Sequence, residues 1–231
     1  DDSKFTISKK NKTDDNQTNE ESTRKSRFKN YNLRDSWLKQ NKSPGMISLA
    51  LIITSVAVYL LSGMGKNTEI VSAFLISEKA NGSLSEILSG QVWRIITPIF
   101  LHFGILHLLL NMFWLHDFGG QIEKRKGSGF ISLFILVAAI VSNLAQYMFS
   151  GPWFGGMSGV VYALFGYVWI KGKFDPGDGL FVHQTTTFLF LAWFCLCFVI
   201  PGMPGKLGSG GSPANWAHAG GLVTGAVWGY I

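Results

Sequence analysis

The chain has 231 residues and a net charge of +6, and 47% of its residues are hydrophobic although residues 1–43 are almost wholly polar. The apolar runs that follow are hydrophobic around the whole helix, which excludes a soluble helical protein, because helices of that class are apolar along one stripe. The positive charge accompanies no nucleic-acid-binding motif, and we attribute it to membrane orientation and to contact with anionic lipid.

The first 43 residues form a polar segment that mixes both charge signs with Asn, Ser and Thr. A segment with so few apolar residues cannot bury enough surface to offset the entropy lost on ordering. We therefore expect residues 1–43 to be a disordered cytoplasmic segment and residues 44–231 to form a membrane domain.

Six apolar segments follow, with lengths that bracket the roughly 20 residues that a bilayer core requires. They are predicted at about 46–62, 97–123, 130–149, 157–170, 183–202 and 215–231. The chain is therefore expected to be an all-α, polytopic membrane protein with a bundle of six transmembrane helices, two of them short.

Lysine and arginine residues predict the orientation, because short cytoplasmic loops carry the positive excess. With a cytoplasmic N-terminus, sixteen lie inside: eleven in residues 1–43, then Lys124, Arg125, Lys126, Lys171 and Lys173. Four lie outside: Lys66, Lys79, Arg94 and Lys206. Both termini are therefore predicted to be cytoplasmic.

Ser158 and His218 lie within two of the apolar segments, where polar groups are costly and usually functional. Each precedes the cytoplasmic end of its helix by thirteen residues, counted from Lys171 and Ile231. Both are expected roughly 20 Å above the inner face of a core about 30 Å thick. A serine nucleophile and a histidine base at one depth predict acyl transfer, and hence hydrolysis. The acidic residues are predicted near the cytoplasmic face, so we expect a catalytic pair without an acidic third member.

His107 and Asn111 are spaced i, i+4 on the second predicted helix and therefore share one face. With the free backbone N–H of Ser158 at a helix start, they are predicted to form an oxyanion hole. Tyr162, one turn below Ser158, is expected to pack against the ring of His218.

Small residues on the fourth and sixth predicted helices favour a close helix–helix approach. We expect one stripe to face the other: Gly221, Gly225 and Gly229 against Gly159, Ala163 and Gly166. A hydrogen bond between a serine and a histidine on different helices requires such an approach.

Three motifs occur in chain order: His107-Leu-Leu-Leu-Asn111, Gly156-Met157-Ser158-Gly159, and Ala217-His218-Ala219-Gly220-Gly221 continuing to Gly225. Together they resemble the signature motifs of the rhomboid family of intramembrane serine proteases. The bacterial GlpG type in particular is resembled by Trp93-Arg94 and by Gly151-Pro-Trp-Phe-Gly-Gly156, which leads to the serine. Over residues 46–231 the resemblance implies a six-helix core and a catalytic dyad of Ser158 and His218. It also implies an oxyanion site that includes His107 and Asn111. Tyr162, Gly156 and Gly159 are expected to support the pair.

The resemblance further implies an integral protein of the bacterial inner membrane whose active site opens to the outer face. Its activity would be cleavage of other membrane proteins in or near their transmembrane segments. The expected partners are transmembrane protein substrates and the lipid bilayer, and neither a cofactor, a metal nor a nucleic acid is expected.

Two other classes are less consistent with the sequence. A non-catalytic relative that binds transmembrane helices is disfavoured because Ser158 and His218 are both present. A transporter is disfavoured because we find no internal repeat with matched broken helices.

The glycine-rich segment 204–213 is longer than we expect in a bacterial rhomboid, and it is either natural or engineered. The substrate, the oligomeric state and the element that gates substrate entry stay open.

Overall fold

The structure, a computed structural model, describes residues 45–79, 83–199 and 214–231. Every regular element in these ranges is helical, which confirms the predicted all-α class. The expectations for residues 1–43 and for the glycine-rich segment 204–213 lie outside the described residues.

Each of the six predicted apolar segments contains helix, and in the described ranges two further short helices lie between the first two segments. The helices are α1 (Met46–Leu61), α2 (Thr68–Phe74), α3 (Ser85–Leu88), α4 (Ile105–Trp114), α5 (Gly120–Lys126), α6 (Ser128–Ser150), α7 (Ser158–Phe174), α8 (Gln184–Val199) and α9 (Asn215–Tyr230). A π-helical turn, Leu115–Gly119, joins α4 to α5. Short 3-10 turns cover Val92–Ile95, Thr97–Phe100 and Pro176–Asp178.

The predicted start of the second helix at residue 97 is wrong, because α4 begins at Ile105. Residues 97–100 form a separate 3-10 turn with Pro98 in its first turn. Leu101 and Gly104 then adopt extended backbone angles, which interrupt the helical ladder before α4. The run is apolar throughout because it packs in the core, with Ile99 and Leu101 almost fully buried, so composition alone does not reveal the break.

The helix α6 is the described helix that is both long and apolar enough to cross a bilayer by itself. It has 23 residues, against the roughly 20 that a bilayer core requires. The helices α1 and α8 are apolar but shorter, with 16 residues each.

The helix α7 lies at the centre of the bundle, since Gly159 to Val168 are buried without interruption. The helix α9 packs on it at backbone distance. A Cβ atom on Gly221 would overlap the carbonyl oxygen of Gly159, and one on Gly225 would overlap the carbonyl oxygen of Ala163. Glycine at these positions therefore permits the contact between α7 and α9.

The lower end of the glycine stripe differs from the predicted pairing. A Cβ atom on Gly229 would meet Tyr167, and one on Gly166 would meet Leu222 and Ala226. The two helices therefore remain in close contact there, largely through backbone atoms, but Gly229 and Gly166 do not face each other.

Two buried charged residues connect elements that are far apart in the chain. Glu123 accepts hydrogen bonds from the backbone N–H groups of Ile47 and Ser48, at 2.9 and 3.1 Å, and from Ser128 Oγ at 2.7 Å. It thereby satisfies two backbone donors at the start of α1, which have no partner inside their own helix, and also binds the first side chain of α6.

The second buried charge, Arg94, orders the first loop. Its guanidinium donates to the carbonyl oxygens of Ser72 and Leu75, at 2.7 and 3.0 Å, and forms an ion pair with Glu78 at 2.7 Å. The loop that precedes α4 is therefore tied to α2.

Candidate active site

Ser158 is the first residue of α7, where the backbone N–H groups of the first turn have no partner within the helix. The two glycines before it, Gly155 and Gly156, contact residues 98–103. The N–H of Gly156 donates to the carbonyl oxygen of Pro98 at 3.0 Å. A Cβ on Gly155 would lie 2.6 Å from the Cβ of Leu101, so only glycine permits this approach. The serine is thus presented at the end of a rigid helix, half-buried.

His218 lies in the first turn of α9, and its side chain is buried. Its Nε2 is 2.8 Å from Ser158 Oγ, a hydrogen-bond distance that joins two residues 60 positions apart. A serine hydroxyl that is hydrogen-bonded to an imidazole is the arrangement needed for general-base activation of a nucleophile.

The ring of Tyr162 holds the imidazole in place. The two rings stack with centroids 4.7 Å apart and planes inclined by 29°, as the sequence led us to expect. Tyr162 is fixed in turn, because its hydroxyl donates to the carbonyl oxygen of Phe190 on α8 at 3.1 Å. The remaining ring nitrogen of His218, Nδ1, is buried and has no hydrogen-bond partner among the residues that the structure describes, so no carboxylate of these residues orients the ring.

Gly159 permits a further close contact at this point. A Cβ atom on it would lie 2.7 Å from the Cβ of Ser142 on α6 and 3.2 Å from the carbonyl oxygen of Ala217 on α9. The helices α6, α7 and α9 therefore meet within one turn of Ser158, which fixes the distance between the serine and the histidine.

His107 lies beside the loop that leads to the serine. A Cβ on Gly156 would be 2.6 Å from Cε1 and 2.8 Å from Nε2 of this ring, and Gly156 has a φ of +132°, a region that favours glycine. The Nδ1 of His107 is buried and has no hydrogen-bond partner within the described part of the chain. The structure therefore places the imidazole of His107 next to Gly156, two residues before Ser158.

Asn111 is also buried, but its Nδ2 donates to the backbone carbonyl of His107 at 2.9 Å. Within the described ranges, no hydrogen bond joins Asn111 to Ser158 or His218. An amide NH₂ has two N–H donors, so the second donor of Asn111 is not used by this bond.

Two residues next to the site were not anticipated as members of it. His102 is buried, with its ring 5.1 Å from that of His107, and its Nε2 accepts a long hydrogen bond of 3.5 Å from the N–H of Met157. Its Nδ1 lies 3.2 Å from the carbonyl oxygen of Phe100. His102 thus links the 97–103 segment to the residue that precedes the serine.

The second unanticipated residue is Gln146 on α6. Its Oε1 accepts hydrogen bonds from the backbone N–H groups of Trp216 and Ala217, at 3.0 and 3.2 Å. It therefore caps the start of α9, the turn that carries His218. A glutamine in an apolar helix is a sign of such a polar contact, but the sequence does not say which helix end it serves.

No cluster of three or more His, Cys, Asp or Glu side chains suited to a metal occurs in the part of the chain that the structure describes. The two cysteines are free thiols, Cys195 exposed and Cys197 buried. The polar groups that converge here are a hydroxyl, imidazoles and backbone amides, which are the groups used for acyl transfer.

The helical bundle and its half-buried serine–histidine pair define a class of membrane protein, and comparison with known families agrees. The model of the rhomboid domain matches residues 89–231. The chain belongs to the rhomboid family and is an integral membrane protein.

Among its relatives, the chain is 37% identical over 188 residues to "Rhomboid protease GlpG" of Salmonella choleraesuis (strain SC-B67), an alignment that covers 81% of this chain and 63% of the relative. It is 41% identical over 145 residues to the proteins of the same name from Salmonella newport (strain SL254) and Salmonella typhi, covering 63% of this chain and 50% of each relative. The chain thus spans between half and 63% of the length of these curated relatives.

Proposed function

We propose that the chain is an intramembrane serine endopeptidase in which Ser158 is the nucleophile and His218 the general base. The observation that carries this proposal is the 2.8 Å contact between His218 Nε2 and Ser158 Oγ at the start of a buried helix. The relatives named "Rhomboid protease GlpG" support the same reaction class.

The first step is attack of Ser158 Oγ on the carbonyl carbon of a substrate peptide bond, while His218 Nε2 takes the hydroxyl proton. The C–N bond then breaks, and the imidazolium gives its proton to the departing amine. Water, activated by the same Nε2, hydrolyses the acyl ester and returns the proton to Ser158. His218 alternates between base and acid, because one imidazole nitrogen can take up a proton and release it again in the next step.

The oxyanion that forms in each step needs donors at the position of the substrate oxygen. The N–H of Ser158 is available at the start of α7, where the helix dipole is also positive. His107 and the second Nδ2 donor of Asn111 complete the proposed hole. Because Asn111 is already bound to the His107 carbonyl, its amide plane is fixed before substrate arrives.

Packing replaces an acid in orienting His218. The stacked ring of Tyr162 and the close contact between α7 and α9 restrict the imidazole, whereas its Nδ1 has no carboxylate partner in the described ranges 45–79, 83–199 and 214–231. Serine hydrolases on unrelated folds differ in this third group, and a dyad is one of the known solutions.

The proposed setting is a six-span protein of the bacterial inner membrane with both termini in the cytoplasm. The charge asymmetry described above supports that orientation. Ser158 then lies in the outer part of the bilayer, and the site opens to the outer face. The proposed substrates are transmembrane proteins, cleaved where their helix is easily unwound because it carries poor helix formers such as Gly or Pro.

Cleavage of a single-span reporter protein in liposomes tests the proposed reaction. We expect wild type to cleave it and Ser158→Ala to be inactive. Ser132→Ala is a matched control, because Ser132 is an exposed serine of α6 that bonds only to the Ser128 carbonyl within its own helix. Cleavage by Ser158→Ala at the wild-type rate would contradict the proposal.

A further inference from the structure

A groove of about 430 Å³ lies between the C-terminal end of α7 and the start of α8. Its volume is in the range typical of sites for small ligands. Lys173 on its α7 wall is fifteen residues from Ser158 along the same helix, or roughly 22 Å. The groove is therefore separate from the candidate active site and lies at the opposite end of the bundle.

The lining of this groove changes from polar to apolar along both helices. On α8 the lining residues Gln184, Thr187 and Leu191 share one face, in that order from the helix end. On α7, Lys173 lies at the end of the helix and Trp169 lies one turn deeper. Phe181 and Val182, which precede α8, also line the groove. Polar side chains at the two helix ends above an apolar floor match a phospholipid, which has a charged headgroup above a hydrocarbon chain.

The charge at the mouth of the groove is positive and not neutralised. Lys173 is exposed, and among the described residues it forms no ion pair; its ammonium lies 5.7 Å from the centroid of the Phe174 ring, which leaves its charge in place. The two nearby carboxylates are paired with other lysines: Asp175 with Lys171 at 3.8 Å, and Asp178 with Lys126 at 2.7 Å. An anionic headgroup is thus the complement of this site, and a zwitterionic headgroup is not.

We propose that the groove binds one anionic phospholipid, with its phosphate at the ammonium of Lys173 and the side-chain amide of Gln184. One acyl chain lies along Trp169 and Leu191. Under the proposed orientation this lipid belongs to the cytoplasmic leaflet, whose anionic lipids attract basic residues next to a membrane helix. The site does not depend on the proposed proteolytic reaction.

Such a lipid connects α7 to the first two turns of α8. Further along, α8 is held to the bundle by Phe190, whose ring lies 4.5 Å from that of Phe165 and whose carbonyl accepts from Tyr162. The turns before Phe190 border the groove, and Phe188 there is 70% exposed. The lipid therefore fills the space beside the start of α8.

Native mass spectrometry of the purified chain tests the site by counting the phosphatidylglycerol and phosphatidylcholine molecules retained from an equimolar mixture with identical acyl chains. Wild type is expected to retain one phosphatidylglycerol in preference. Lys173→Gln is expected to lower its retention about fivefold, the loss typical of one juxtamembrane lysine. Lys124→Gln is the matched control, since Lys124 is an exposed lysine of α5 outside the groove.

Three results would overturn the proposal. The first is equal retention of both lipids by wild type. The second is an equal loss in Lys173→Gln and Lys124→Gln, which would show a delocalised attraction to basic residues. The third is displacement of the lipid by millimolar inorganic phosphate, which would show a phosphate site without a role for the acyl chain. Both lysines are exposed, so unfolding temperatures measured in lipid-free detergent should match wild type.

Discussion

Substituting Gly221 with alanine tests whether the close approach of α7 and α9 creates the reactive pair. The added methyl group would overlap the carbonyl oxygen of Gly159 and would also lie 3.3 Å from the N–H nitrogen of Ala163. Both obstacles are backbone atoms of a buried helix, so they cannot rotate away as a flexible side chain could. The helix α9 must therefore retreat, by more than about 1 Å, to restore ordinary contact distances.

The expected loss follows from the position of His218, one turn before Gly221 on α9. A displacement of about 1 Å lengthens the 2.8 Å contact between Nε2 and Ser158 Oγ beyond hydrogen-bond range. Misplacement of a catalytic group by this distance costs about 100-fold in rate. Overpacking of the interface should also lower the free energy of unfolding by about 1–3 kcal/mol.

The assay is kcat/KM on a fluorogenic single-span substrate, together with thermal unfolding of the same samples. Gly220→Ala is the matched control, because a Cβ there would lie 3.2 Å from Ala145 Cβ, a contact that needs a shift of only a few tenths of an ångström. A kcat/KM within threefold of wild type for both Gly221→Ala and Gly220→Ala would refute this prediction.

Three further substitutions address the surroundings of the pair. Gly156→Ala should abolish activity, because a φ of +132° disfavours a side chain and the added Cβ would meet the His107 ring. Gly129→Ala is the control: the space around Gly129 is open, so this variant should match wild type in the same cleavage assay. Gln146→Ala should lower the free energy of unfolding by about 0.5–2 kcal/mol through loss of the cap on α9, as measured by denaturant titration, and Gln146→Glu should restore much of it because an acceptor remains. Asn111→Ala should lower kcat by about 10²–10³-fold with little change in KM; a change confined to KM would contradict an oxyanion role.

The pairing of Ser158 with His218 could be predicted from sequence because it depends on two regular quantities. One is the depth of each residue, counted along a helix of fixed rise. The other is the spacing of glycines on α9, which marks the face that meets α7. Both survive small errors in helix boundaries, and the structure brings the two side chains within hydrogen-bond distance.

The position of His102 could not be predicted, since it depends on a break in the chain. The bend at residues 101–104 directs the ring toward Met157, but the continuous apolar run through this segment predicted an uninterrupted helix. Hydrophobicity reports burial, and buried residues in a bend are as apolar as those in a helix.

The contacts of Gln146 and Asn111 could not be predicted because each side chain had more than one possible partner. Gln146 caps α9 only because α6 and α9 meet in one particular register. The spacing that directs Asn111 toward the site also places its amide within reach of the His107 carbonyl, one turn earlier on the same helix. Such choices are decided by tertiary packing.

Labelling with a fluorophosphonate probe, followed by mass spectrometry of the modified peptide, tests most directly whether Ser158 is an activated nucleophile. Wild type should be labelled at Ser158, and Ser158→Ala should not be labelled. His218→Ala should be labelled at least about a hundredfold more slowly, because loss of the base removes the proton acceptor. His183→Ala, a change in an exposed histidine beside α8, should label like wild type. Labelling of His218→Ala at the wild-type rate, or modification of a serine other than Ser158, would contradict the proposal that His218 activates Ser158.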